Sequence, residues 1–140
     1  MNNLSAWCFR IAVLYLIAGV GLGVFMGASG DHAMFPVHAH LNLLGWVTLS
    51  LFGLFYRAWP AAAKTRLAKV HFGLYVPAHF VQMVLLAALY RGNPGVEPAL
   101  GAVSVLVGIA IICFAVVVWK HTGEAVSERS APTTPSRAAA

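Results

Sequence analysis

The stretch Ala99-Leu-Gly-Ala-Val-Ser-Val-Leu-Val-Gly-Ile-Ala-Ile-Ile-Cys-Phe-Ala-Val-Val-Val-Trp119 decides the class of this chain. It carries no charge and no histidine. A helix needs about 20 consecutive apolar residues to cross the hydrocarbon core of a bilayer, and this stretch supplies them. Three similar stretches precede it, giving spans of about 6–28, 36–57, 67–90 and 99–119. The whole chain is 60% hydrophobic and 9% charged, where a soluble domain carries roughly 25% charged residues. So few charges cannot cover a water-facing surface, so most of the surface must face lipid. The expected fold is all-α: a four-helix integral membrane domain over residues 1–120, followed by a cytoplasmic tail, 121–140. That tail is rich in Ser, Thr, Pro and Ala and reads as disordered.

The run from Ile11 to Ala28 after Arg10 has the polarity of a signal peptide. It is longer than the usual 7–15-residue apolar core of such a peptide and reads as a retained first helix. Gly19, Gly23 and Gly27 recur at intervals of four along it, with Gly21 between. Small residues at that spacing form a groove that another backbone can approach closely. The second span begins at Pro36, where the missing N–H of a first-turn proline costs nothing. Arg91-Gly92-Asn93-Pro94-Gly95 is a turn signature.

The net charge of +5 does not indicate nucleic-acid binding, because the basic residues form no stripe with interleaved aromatics. They gather at span ends instead. Arg57, Lys64, Arg66 and Lys69 surround the middle loop, and Lys120, Arg129 and Arg137 follow the last span. The other two loops together offer only Arg91. The positive-inside rule therefore places the middle loop and both termini in the cytoplasm. Cys8 and Cys113 lie within apolar helices and read as reduced packing residues.

Ionisable side chains are costly in lipid and mark function, so the histidines carry the functional reading. His121 lies in the tail and His32 in an outer loop, both as ordinary solvated residues. His38 and His40 open the second helix. Residues two apart on a helix point about 200° apart, so the two rings cannot easily chelate one ion. They serve two sites on opposite sides of the helix, or they are a pair of interfacial histidines. On the third helix His71, Tyr75, His79 and Gln82 (or Met83) recur at spacings of three and four and share one face. This polar stripe is either a proton or water path or an interhelical hydrogen-bond seam. Pro77, between the two histidines, is expected to kink the helix.

Pro36-Val37-His38, followed by Leu44-Gly45-Trp46 and ending in Leu54-Phe55-Tyr56-Arg57, resembles subunit I of the haem-copper oxidase superfamily. The likeness is to the cbb3-type oxidase and nitric oxide reductase branch. There a histidine in a Pro-x-His context on the second helix ligates the low-spin haem b. The spacing of His38 and His40 is similar to a later helix of that subunit, whose two histidines face opposite ways and ligate different haems. Ala68 to Phe72 faintly resembles another of its segments. The resemblance covers the second and third spans.

The departures bear equally on function. The family's subunit has about twelve helices in three similar arcs, with ligands on the second helix of each arc, and this chain has one arc. His40 stands where the family has asparagine, and the histidines and His-x-x-x-Tyr of its copper site are not recognisable. The resemblance therefore implies a homotrimer that rebuilds the twelve-helix plan and binds haem b through His38 and His40. It implies electron transfer or redox sensing with an unidentified electron donor or acceptor, and a multi-pass protein of a bacterial inner (cytoplasmic) membrane. His71, His79 and His32 are lesser candidates for the iron. No complete oxygen-reducing centre is recognised, and no enzymatic reaction follows. Two alternatives stay open: a non-haem protein binding or moving copper or zinc through the same histidines, and a structural protein whose histidines only make interhelical hydrogen bonds.

Overall fold

The structure is a computed structural model that describes residues 3–129, with side chains for 4–123. Those residues form four helices long and apolar enough to cross a membrane, and no strand occurs among them. Helix α1 is Asn3–Ser29, α2 is Phe35–Ala58, α3 is Arg66–Tyr90 and α4 is Glu97–Arg129. This makes the chain a multi-pass membrane protein whose exposed apolar residues, such as Ile17, Phe25, Phe80 and Ile112, suit a lipid surround.

The helix ends follow local chemistry. Pro36 sits in the first turn of α2. Thr65 caps α3 by accepting from the Ala68 N–H at 3.2 Å, and Gly92, at φ +90°, turns the chain after Tyr90. A four-residue helix, Pro60–Ala63, bridges α2 and α3. Helix α3 continues through Pro77 from Arg66 to Tyr90. Helix α4 runs on to Arg129, into the segment read from composition as a disordered tail. An established helix adds further residues at little cost, and nothing from Lys120 to Arg129 stops it except the weak interruption of Gly123. Residues 130–140 lie outside the described residues.

The seam between α1 and α2 is built on glycines from both helices. On α1, a methyl at Gly19 would come within 2.6 Å of the Asn42 amide, and one at Gly23 within 2.8 Å of the His38 ring. On α2, Gly45 faces Tyr15 and Gly53 faces Phe9 and Cys8. Ser5 adds a hydrogen bond to the Gly53 carbonyl at 2.8 Å. The groove at Gly19 and Gly23 is therefore filled by the same chain's second helix and not by an adjacent subunit, and Gly21 and Gly27 have nothing within 4 Å. Close backbone approach is what small residues permit in lipid, where burial of apolar surface supplies no driving force.

The middle of α2 departs from α geometry. Leu41–Thr48 is π-helical, with hydrogen bonds to the fifth residue instead of the fourth. Side chains satisfy carbonyls in and beside this wider segment. Asn42 donates to the His38 carbonyl at 2.9 Å, Thr48 to that of Leu43 at 2.8 Å, and Tyr75 to that of Leu44 at 2.9 Å. In a bilayer core no water is present to do this.

Candidate functional site

His38 and His40 open α2 and face different surroundings. The His38 ring lies against Gly23 of α1, and its Nδ1 bonds the Gly19 carbonyl at 2.8 Å. His40 bonds the Pro36 carbonyl of its own helix through Nδ1, also at 2.8 Å, and stands within electrostatic reach of His79 on α3. A carbonyl oxygen only accepts, so Nδ1 is the protonated nitrogen in each ring. In the neutral ring Nε2 then carries the lone pair. Neither Nε2 has a hydrogen-bond partner among the described residues, and neither is among the buried unpartnered atoms. Both rings are half-buried.

His32 and His121 make comparable local bonds, to the Gly30 carbonyl at 3.0 Å and the Val117 carbonyl at 2.9 Å. The bond alone therefore does not mark a site. What distinguishes His38 is that its partner belongs to another helix and that Gly23 clears space for its ring. No group of three or more His, Cys, Asp or Glu positioned to hold a metal ion occurs among the described residues.

The stripe on α3 lies inside the bundle. His71, Tyr75, His79 and Gln82 are all buried, and the rings of His71, Tyr75 and His79 are fully so. Met83, the alternative to Gln82, is buried beside it. His71 Nδ1 and the Tyr56 hydroxyl of α2 are hydrogen-bonded at 2.9 Å. Tyr75 lies next along the stripe, its ring centre 6.0 Å from that of His71 and 5.8 Å from that of His79. The His79 ring stacks parallel to Tyr75 and meets Tyr15 of α1 edge-on at 4.8 Å. Gln82 donates to Ser104 of α4 at 3.0 Å. Phe52 and Phe114 wall the His71 end.

This face is incompletely satisfied. Five buried side-chain atoms have no hydrogen-bond partner among the described residues, and four of them belong to the stripe: His71 Nε2, both ring nitrogens of His79 and Gln82 Oε1. Buried polar atoms are rarely left unpaired, and each exception needs a cause. The spacing of three and four was enough to find the stripe. The involvement of Tyr15, Tyr56 and Ser104 was not legible, because each comes from a different helix with no polar periodicity of its own.

Comparison with protein-family models, with curated proteins and with solved structures finds no match to this chain.

Proposed function

We propose that this chain binds haem b through His38 and His40 and serves electron transfer or redox sensing. The observation that carries the reading is the anchoring of each Nδ1 to a main-chain carbonyl, which holds Nε2 as the free basic nitrogen. Metal-bound histidines are held in this way by a hydrogen bond through the other ring nitrogen. Two imidazole ligands suit a six-coordinate redox haem. The iron, when bound, would accept and release single electrons. The protein's part is to fix the tautomer and the ring orientation.

The two rings face different helices, which favours two half-sites over one complete site in a monomer. In this reading His38 of one copy meets His40 of the next, and a closed ring of copies leaves no half-site unused. The resemblance of the second span to subunit I of the haem-copper oxidases favours three copies. The termini and the Lys64 loop face the cytoplasm of a bacterial inner membrane, with His38 and His40 toward the outer side.

Purified protein is expected to be red with a Soret band. Either His38→Ala or His40→Ala alone should abolish the six-coordinate spectrum, and co-expression of the two variants should restore part of it. A double variant with an unchanged spectrum would overturn the assignment. Colourless protein with stoichiometric copper or zinc would point to non-haem metal binding.

A further inference from the structure

We propose that this chain binds a neutral, lipid-soluble carbonyl compound in an apolar cavity at the middle of the bundle, with the Tyr15 hydroxyl donating to its carbonyl oxygen. The site is independent of haem. Two observations carry it. The first is a cavity of about 460 Å³ between one face of α1 and one face of α3, with Leu41 of α2 between them. It runs from Ile11 to Ala18 on α1 and from Val76 to Met83 on α3. Seven residues on each helix correspond to about 10 Å of axis. Leu14 and Phe80, on its rim, are exposed, so the cavity opens toward lipid. Small-molecule sites are clefts of roughly 300–1,000 Å³, mostly apolar, with a few polar groups that orient the ligand.

The second observation is such a polar group. Tyr15 is the lining residue that carries a side-chain hydrogen-bond donor. The hydroxyls of Tyr56 and Tyr75 bond His71 and the Leu44 carbonyl, whereas that of Tyr15 has no hydrogen-bond partner among the described residues. The residue is only 8% exposed, yet its hydroxyl is not among the enclosed atoms. The ring is held at its root by Gly45 and meets His79 edge-on. The donor is therefore fixed in place before any ligand arrives.

Depth and lining select the occupant. Tyr15 lies twelve residues from Asn3 and fourteen from Ser29, about 18 and 21 Å at 1.5 Å per residue. Phospholipid headgroups lie about 15 Å from the centre of a typical bilayer, so they do not reach it. Water needs two to four polar partners, and the lining offers one. An ion is excluded because no charged side chain lines the cavity and lipid supplies no counter-charge. A second copy would present hydrocarbon here, because the exposed side chains in mid-helix, such as Ile17, Val20 and Ile109, are apolar. What satisfies the hydroxyl is a neutral molecule that dissolves in the bilayer core and carries its own acceptor oxygen. Binding makes and breaks no covalent bond.

The test uses the full chain reconstituted in phosphatidylcholine vesicles, with benzophenone as the probe. Under near-ultraviolet light the carbonyl carbon of this neutral ketone bonds to a nearby carbon and its oxygen takes the hydrogen, so mass spectrometry reads the site. Attachment should saturate and concentrate at lining residues such as Ile11, Leu14 and Met83, whether or not the preparation shows a Soret band. Tyr15→Phe keeps the ring on Gly45 and removes the donor. It should raise the half-saturating concentration about three- to tenfold, the worth of one net hydrogen bond. Dipentyl ketone should displace the probe better than undecane, which has the same chain length and no oxygen. Ala18→Phe should fill the cavity and remove the saturable attachment, whereas Ile112→Phe on α4 should preserve it. Attachment spread without saturation over exposed residues such as Ile17, Phe25 and Ile112 would overturn the proposal. Equal displacement by undecane and the ketone would assign the cavity to an acyl chain and overturn it too, and this comparison needs only the wild-type protein should Tyr15→Phe fail to fold. Exclusion of the probe at high protein-to-lipid ratio would assign the cavity to a second copy, with the same consequence.

Discussion

The ring of His38 occupies the space that a side chain at Gly23 would need: a methyl there would lie 2.8 Å from Cε1. The α1–α2 seam and the orientation of a proposed iron ligand therefore depend on the same missing atom. Gly23→Ala should force the ring away from the Gly19 carbonyl. Overpacking of this kind costs about 1–3 kcal/mol. Gly27→Ala meets open space and should gain stability, by up to about 1 kcal/mol from better helix propensity. Thermal unfolding in detergent distinguishes the two, and equal midpoints would refute the seam. Gly23→Ala should also perturb the Soret spectrum where Gly27→Ala does not.

Gly45 sits against the root of Tyr15, with a methyl predicted to fall 2.5 Å from its Cγ. Gly19 sits against the far end of Asn42. The root of a ring cannot swing aside, while an amide can. Gly45→Ala is therefore expected to destabilise more than Gly19→Ala, with both measured by unfolding in the same detergent. Asn42, displaced in Gly19→Ala, would also release the His38 carbonyl that it holds at 2.9 Å.

Tyr75 ties α3 to the π-helical segment by donating to the Leu44 carbonyl. Tyr75→Phe keeps the ring between His71 and His79 but removes this donor. Interhelical hydrogen bonds in membranes are worth about 0.6 kcal/mol on average and at most about 1.7, so a loss in that range is expected. Amide hydrogen exchange should rise locally over Leu41–Thr48. Unchanged exchange there would show that the π segment does not depend on this bond.

Orientation is testable with single cysteines in a background lacking Cys8 and Cys113. Lys64→Cys should be protected from an impermeant thiol reagent added outside intact cells, and Asn93→Cys should react. The expectation rests on the basic residues around the middle loop. Outside labelling at position 64 would invert the protein and place His38 and His40 toward the cytoplasm.

Hydropathy and helical period were legible in the residues themselves. Each of the four spans is a long, predominantly apolar run, and crossing a membrane is a property of such a run alone. The stripe of His71, Tyr75, His79 and Gln82 was legible because α-helical geometry places residues three and four apart on one face whatever the helix packs against. The opposed directions of His38 and His40 follow from the same rotation per residue.

Only the tertiary structure decided which glycines matter. Gly19 and Gly23 receive side chains while Gly21 and Gly27, equally small, do not, because contact depends on where a second helix crosses. It alone revealed the π turns of Leu41–Thr48, which have no residue signature and depend on partners such as Tyr75 from α3. It alone tied His38 to Gly19, nineteen positions away. It also left four polar atoms of the stripe unpaired inside the bundle. Span and period are set within one helix by short-range geometry, whereas hydrogen-bond partners are set by the relative placement of helices distant in sequence.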